Sequence, residues 1–96
     1  MAFRLAFQPE ASKAIDSLKN YDPKKYKKVF KTLGILEKDP RYPGLHTHKY
    51  DEYEGPCGES VLQSYVENKT PGAFCVFWYY GPEKDTITIV TITPHP

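Results

Sequence analysis

The sequence contains one uninterrupted apolar run, Ala73–Tyr80, in which valine, cysteine and aromatic residues follow one another without a charge. Gly72 precedes the run and Gly81-Pro82 follows it, and such residues commonly end regular elements. A short run with no polar side is typical of a strand that is covered on both faces. We therefore predict a central strand here. Its alternate residues should divide into a face under helices (Phe74, Val76, Trp78, Tyr80) and an open face (Ala73, Cys75, Phe77, Tyr79).

The first 40 residues change from period two to the helical period. Phe3–Phe7 alternates apolar and polar residues like a half-buried strand, and Pro9 suits the first turn of a helix. Asp22-Pro23 is an N-cap followed by an N1 proline, and Asp39-Pro40 stops a second helix. We expect the buried helix positions to be Ala11, Ala14, Ile15 and Leu18, then Tyr26, Val29, Phe30, Leu33 and Leu36. Gly34 costs about 1 kcal/mol against alanine, which suggests a close contact at that position.

The rest of the chain reads as strands over 45–53, 60–67, 73–80 and 86–93, separated by short turns. Short turns make these strands antiparallel neighbours. Two consecutive helices can cover only one face of the sheet. The pattern therefore predicts one α+β domain of two layers over residues 1–96, whose second sheet face is either solvated or functional.

Composition narrows the functional classes only slightly. A net charge of +1 is lower than that of most dedicated nucleic-acid binders. No signal-like segment or apolar run of about 18 residues is present, so we expect a cytoplasmic protein without membrane contact. Cys57 and Cys75 fit no metal-ligand spacing, and a disulfide would need Cα atoms about 4.4–6.8 Å apart. Free thiols are the expectation in a reducing compartment.

Five lysines lie in the first half of the second helix, at 24, 25, 27, 28 and 31. Such a cluster is usually a solvated helix face. The alternative is a patch that meets phosphate or an acidic partner, because Lys24, Lys28 and Lys31 share one side of the helix.

The histidines are the side chains whose ordinary pKa lies nearest neutrality. His46 and His48 alternate, so we expect them on one face of a strand. No third metal ligand is selected by spacing, so we predict no metal or other cofactor. Histidines beside lysine, arginine and tyrosine suit RNA cleavage, which needs a base, an acid and cations for the charge on phosphorus. The candidate catalytic residues are His95, His48 and Lys49, and the candidate RNA- or phosphate-binding residues are Arg41, His46, Tyr65, Lys69, Cys75 and Tyr79.

Several phrases, in their order, resemble the RelE/ParE superfamily of toxins from type II toxin–antitoxin pairs. They are the Ala-Ile-x-x-Leu phrase of the first helix, the segment Leu36–Leu45, the strand Pro71–Trp78 and the ending Ile92–His95. The resemblance covers nearly the whole chain. It implies a fold in which an N-terminal strand and a helical hairpin pack on one face of a mainly antiparallel, four- to five-stranded sheet.

The resemblance also implies activities and partners. The RelE-like branch cleaves mRNA in the ribosomal decoding site without a metal, whereas the ParE-like branch inhibits DNA gyrase. Both are held inactive by an antitoxin protein from a neighbouring gene. Lys49 resembles a basic residue of the RelE-like strand, and His95 resembles a C-terminal catalytic histidine of some members.

One departure from the family pattern is prominent. Cys75 stands where the family's central strand has an arginine, and a thiol cannot replace its five donors. The leading hypothesis is a ribosome-dependent endoribonuclease. The alternatives are a non-cleaving member that binds gyrase or only an antitoxin, and a module that dimerises through its aromatic face.

Overall fold

The computed structural model describes residues 2–67 and 72–94. Its elements follow the predicted order of one strand, two helices and four strands. They are β1 (Arg4–Phe7), α1 (Pro9–Tyr21), α2 (Pro23–Lys38), a 3-10 turn (Pro43–Leu45), β2 (His48–Glu54), β3 (Ser60–Tyr65), β4 (Phe74–Tyr80) and β5 (Thr86–Pro94).

The helix boundaries lie where the local sequence placed them. Pro9 and Pro23 are the first residues of α1 and α2. The Asp22 carboxylate accepts a hydrogen bond of 3.2 Å from the backbone N–H of Lys25, which satisfies one of the free donors at the start of α2. Helix α2 ends at Lys38, directly before Asp39-Pro40.

The five strands form one sheet in the order β1-β5-β4-β3-β2, so the apolar run is its middle strand. Strands β2, β3, β4 and β5 pair antiparallel, as their short connections require. Strand β1 pairs in parallel with β5. The predicted α+β architecture with a mainly antiparallel sheet is therefore confirmed.

The first sheet face packs on the helices, as predicted. Val76 and Trp78 of β4 are completely buried there, Phe74 is partly buried against the same core, and Tyr80 at the strand end is 44% exposed. The helices contribute Ala11, Leu18, Val29, Leu33 and Leu36 to this core, and Leu45, Ile87, Ile89 and Ile92 complete it.

The second sheet face is not open, which corrects the prediction for Cys75, Phe77 and Tyr79. These side chains are 0–3% exposed. The rings of Tyr50 and Tyr53 on β2 lie over Phe77, with ring centroids 4.8 and 5.0 Å apart. The edge strand thus closes this face with its own aromatic side chains, and no second helical layer is needed.

Two expectations for α2 are also wrong. Phe30 is 65% exposed and touches the Tyr26 ring at a centroid distance of 6.1 Å instead of entering the core. Thr32, which the apolar pattern did not include, is buried instead. Gly34 has no close neighbour within the described residues, because a Cβ built there meets nothing within 4 Å.

Candidate functional site

Two of the predicted RNA-contacting residues, His48 and Tyr65, meet near one end of the sheet. Their ring centroids are 5.9 Å apart. His48 Nδ1 lies 3.1 Å from the carbonyl oxygen of His46, and a carbonyl only accepts, so Nδ1 carries the proton that it donates. In the neutral ring the lone pair is then on Nε2. The local geometry thus leaves His48 Nε2 able to accept a proton.

A cleft of about 460 Å³ lies between α2 and the end of β3. We call it the lysine cleft. Its lining combines cations, tyrosine rings and a carboxylate: Lys28, Lys31, Thr32, Ile35, Tyr42, Gly44, Leu45, Tyr65, Val66 and Glu67. Tyr65, the neighbour of His48, is thus part of its wall.

Glu67 organises the cations of this cleft. Its carboxylate accepts hydrogen bonds from Lys25 Nζ, from Lys28 Nζ at 3.2 Å and from the backbone N–H of Phe74 at 3.2 Å. The bond from Lys25 is the main cause that lowers the pKa of Glu67 to about 2. Glu67 therefore stays ionised near neutral pH, where it holds the two lysines and is too weak a base to take a proton from a hydroxyl.

The sequence left two alternatives for the lysines of α2, a solvated face and a patch that meets anions. The structure places some of these lysines in each group. Lys24 and Lys27 are exposed and fit a solvated face. Lys25 and Lys28 share the single carboxylate of Glu67, and Lys25 Nζ also lies 4.9 Å from the centre of the Phe74 ring. Lys31 lines the cleft and forms no ion pair within residues 2–67 and 72–94. It is the cleft's cation that is available to an added anion.

The last described residue of β5 lies at the same end of the sheet. Pro94 of β5 is paired with Phe74 of β4. Tyr65 of β3, on the other side of β4, is paired with the adjacent Cys75. His95 follows Pro94 directly in the chain. The candidate residues His95 and Lys69 themselves lie outside the described residues.

Cys75 and Tyr79 are excluded from any surface contact by burial. Cys75 is 0% and Tyr79 is 3% exposed. Burial raises the pKa of the Cys75 thiol, which makes it a poor nucleophile. Cys57 is an exposed free thiol, so the two cysteines are not bonded to each other, as expected.

The predicted pairing of His46 with His48 on one strand face is wrong. His46 lies before β2 in the left-handed conformation (φ 50°, ψ 43°), which interrupts the alternation. It lines a second cleft of about 530 Å³ together with Arg41, Trp78 and Tyr80. Trp78 faces the helices, whereas the Tyr65 ring beside His48 belongs to the opposite face.

Lys49 lies apart from both clefts. Its ammonium is 3.5 Å from the Asp51 carboxylate, and both side chains are well exposed. The neighbouring groove also contains Glu54 and Glu59. The structure therefore places Lys49 among acidic groups.

Sequence reasoning missed Tyr42 and Glu67 as parts of the site. Tyr42 had no signal beyond its place in a turn, and it reaches the cleft only through the fold. The lysine partners of Glu67 are about forty residues away in the chain. The available signal was an acidic residue at the end of a predicted strand, in a chain whose second helix is rich in lysine.

The described residues contain neither a metal-binding cluster nor a membrane-spanning helix. No group of three or more histidine, cysteine or acidic side chains in residues 2–67 and 72–94 is arranged to hold a metal ion. Neither described helix is both long enough and apolar enough to span a membrane.

Comparison with known proteins gives matches in structure only. No protein-family model matches the sequence, and no match is found among curated proteins. The YoeB dimer from Staphylococcus aureus superposes with a TM-score of 0.72 at 13% identity, covering 100% of each chain. The RelE–RelB complex from Pyrococcus horikoshii gives a TM-score of 0.67 at 19% identity, covering 98% of this chain and 96% of the other.

A third solved structure also matches. The DinJ–YafQ toxin–antitoxin complex from E. coli matches with a TM-score of 0.69 at 11% identity, covering 99% of this chain and 94% of the other. Each match includes both helices and the whole sheet, because the coverage is nearly complete. The protein therefore has the fold of these three structures, which is the fold that its sequence resemblance implied.

Proposed function

We propose that this protein is the toxin component of a toxin–antitoxin pair and cleaves ribosome-bound mRNA at the lysine cleft. The observation that carries the proposal is that Tyr65 touches the ring of His48, whose tautomer is defined, and also lines the cleft that contains Lys31. Lys31 forms no ion pair with any described residue. The same end of the sheet receives the last described residue of β5, directly before His95. His48 supplies a base, Lys31 supplies a cation, and His95 adds a candidate acid.

The chemistry is an internal transfer at phosphorus. His48 Nε2 takes the proton of a ribose 2′-OH, and the 2′-oxygen attacks the adjacent phosphorus. The bond from phosphorus to the 5′-oxygen breaks, His95 protonates that oxygen, and a 2′,3′-cyclic phosphate remains. Lys31, with Lys28 nearby, offsets the negative charge that builds on the phosphoryl oxygens. Tyr65 is only 8% exposed, so its ring supports His48 from the side and does not stack on a base. The step needs no metal in this scheme.

An antitoxin is the proposed regulator. One of the structural neighbours, DinJ–YafQ, is a toxin–antitoxin complex, and another is the complex of RelE with RelB. The exposed Lys24, Lys27 and Lys31 of α2 would suit an acidic segment of such a partner. The proposed target, ribosome-bound mRNA, makes the cytoplasm the site of action.

The test is cleavage of a defined mRNA by the purified protein in the presence of ribosomes, with the new 5′ ends mapped. His48→Ala should reduce the rate at least about 100-fold if His48 is the base. Lys31→Gln should reduce it less, and Lys13→Gln on exposed α1 is the matched control with no expected effect. The rate should also change between about pH 5 and 8, where histidines titrate. Cleavage that His48→Ala leaves intact would overturn the assignment.

A non-cleaving, partner-binding toxin is the second candidate function. It is favoured by the buried Cys75 at the family's arginine position and by exposed rings on the helical hairpin, where Tyr21 is 85% and Phe30 65% exposed. This candidate predicts growth arrest on expression without mRNA cleavage. Phe30→Ala should then relieve the arrest, whereas His48→Ala should not. The target would be DNA gyrase or, for an inactive member, the antitoxin alone.

A further inference from the structure

The second cleft, which we call the Arg41 cleft, is separate from the lysine cleft but shares Tyr42 with it. Its lining has an apolar base with aromatic and polar walls: Pro40, Arg41, Tyr42, Pro43, His46, Thr47, Leu62, Trp78 and Tyr80. Its volume of about 530 Å³ lies in the range of small-molecule sites.

Two tyrosine rings of this cleft are half open to solvent although they flank apolar side chains. Tyr42 is 49% and Tyr80 is 44% exposed. The Tyr80 ring stands edge-on to the Trp78 indole, with centroids 4.9 Å apart. Gly44 lets the Tyr42 ring lie close to the backbone, because a Cβ at residue 44 would be 2.5 Å from Tyr42 Cε2. The rings are therefore held in place while part of each surface stays free for stacking.

The cleft also has an available cation. The Arg41 guanidinium has no hydrogen bond or ion pair to any described residue, and only its backbone N–H is bonded, to Asp39 Oδ1 at 3.1 Å. Burial raises the pKa of the Tyr80 hydroxyl, and the nearby charge of Arg41 partly opposes that rise. Arg41 thus lies close enough to Tyr80 for one ligand to reach both.

His46 adds a polar side chain to the Arg41 cleft, and its backbone has a left-handed conformation. A left-handed conformation is uncommon for residues other than glycine. Here the His46 N–H closes the 3-10 turn on the Pro43 carbonyl at 3.1 Å. The turn that places His46 at the cleft is the same turn that places Tyr42 and Gly44.

We propose that the Arg41 cleft binds one nucleotide of single-stranded RNA, with its base on Tyr42 or Tyr80 and its phosphate on Arg41. Base–tyrosine stacking and a guanidinium–phosphate pair are the two contacts that such a nucleotide requires. Because Tyr42 is common to both clefts, a strand that crosses it places neighbouring nucleotides in the two clefts. This inference rests on the proposed function for its RNA ligand, but binding is measurable without ribosomes or cleavage.

The chain provides its own reporter, since Trp78 is its single tryptophan and lies in the wall of the cleft. Adenosine 5′-monophosphate titrated into the intact protein should change tryptophan fluorescence saturably at millimolar concentration or below. Adenosine without phosphate should bind at least about tenfold more weakly. No saturable change up to about 10 mM, a ceiling above the weak millimolar range, or equal binding of adenosine, would overturn the proposal.

Variants separate the two contacts. Arg41→Gln should weaken binding at least about tenfold. Tyr42→Ala should also weaken it, whereas Tyr42→Phe keeps the ring and should not. Lys13→Gln is the control for loss of one positive charge. Binding unchanged by both Arg41→Gln and Tyr42→Ala would place the nucleotide elsewhere and overturn the assignment.

The two proposals fail independently. If the wild-type protein binds the nucleotide but does not cleave mRNA in the presence of ribosomes, only the proposed function is overturned. Cleavage that persists at a normal rate in a protein without Arg41-dependent binding would overturn only the nucleotide site.

Discussion

The indole nitrogen of Trp78 donates a hydrogen bond of 2.8 Å to the hydroxyl oxygen of Ser64. Both residues are 0% exposed, and the Ser64 hydroxyl also lies 2.6 Å from Thr47 Oγ1. This chain of contacts ties the middle strand β4 to β3 and to the residue directly before β2. Since His48 follows Thr47, the same contacts fix the start of the strand that presents the candidate base.

Ser64→Ala should lower the free energy of unfolding by about 1–3 kcal/mol, because it leaves the Trp78 N–H buried without an acceptor. Urea unfolding at neutral pH measures the change. Ser60→Ala, on an exposed position of the same strand, is the matched control and should stay within about 0.5 kcal/mol of wild type. Equal effects of the two substitutions would show that the hydrogen bond contributes nothing net.

Glu67 should make stability depend on pH in the acidic range. Its folded pKa of about 2 is below that of an unfolded glutamate, about 4.3, so its contribution is complete above the unfolded value. It is lost as pH falls from there toward 2. Urea unfolding between pH 7 and pH 3 should therefore show a flatter curve for Glu67→Gln than for wild type.

The neutral-pH effect of the same substitution follows from its lost ion pairs. Glu67→Gln should lower the free energy of unfolding by about 1–2 kcal/mol at pH 7, since the site is partly buried. Glu83→Gln, at an exposed residue without a side-chain partner in the described part of the chain, is the control. A pH curve for Glu67→Gln that follows the wild-type curve would contradict the role given to Glu67.

Restoring the family's arginine at the middle strand should not restore an RNA contact here. Cys75→Arg would place a guanidinium among Val61, Tyr65 and Phe77, with no acidic side chain in that buried cluster. We expect a loss of about 3 kcal/mol or more in the free energy of unfolding. Cys57→Arg, at the exposed cysteine, should change it by less than about 0.5 kcal/mol. A stable Cys75→Arg protein with faster RNA cleavage would show that this face opens.

Gly34→Ala should raise the free energy of unfolding by about 0.5–1 kcal/mol, because the helical backbone accepts alanine and space is free around it. Gly72→Ala is the opposite control, since its φ of +79° disfavours any side chain. Thermal unfolding compares the two variants. Destabilisation by Gly34→Ala would contradict the free space found around residue 34.

The local sequence was sufficient for the helix boundaries. Caps and prolines act within one turn of chain, so Asp22-Pro23 and Asp39-Pro40 fixed the ends of α2 without tertiary information. The alternation of β4 also assigned its two faces correctly, because side chains on a strand alternate by geometry. Helical periodicity predicted that Phe30 is buried. This residue lies at the edge of the apolar stripe, and its side chain is 65% exposed.

The sequence by itself determined the fold class, the central position of Ala73–Tyr80 and the resemblance to a toxin superfamily. Only the tertiary structure decided which candidates meet. Burial of Cys75 depends on the tyrosine rings of β2, and the ionisation of Glu67 depends on lysines of α2. The grouping of Arg41 and His46 with Tyr80 depends on a left-handed turn. Local patterns encode backbone conformation, whereas accessibility and charge at a site are set by residues distant in the chain.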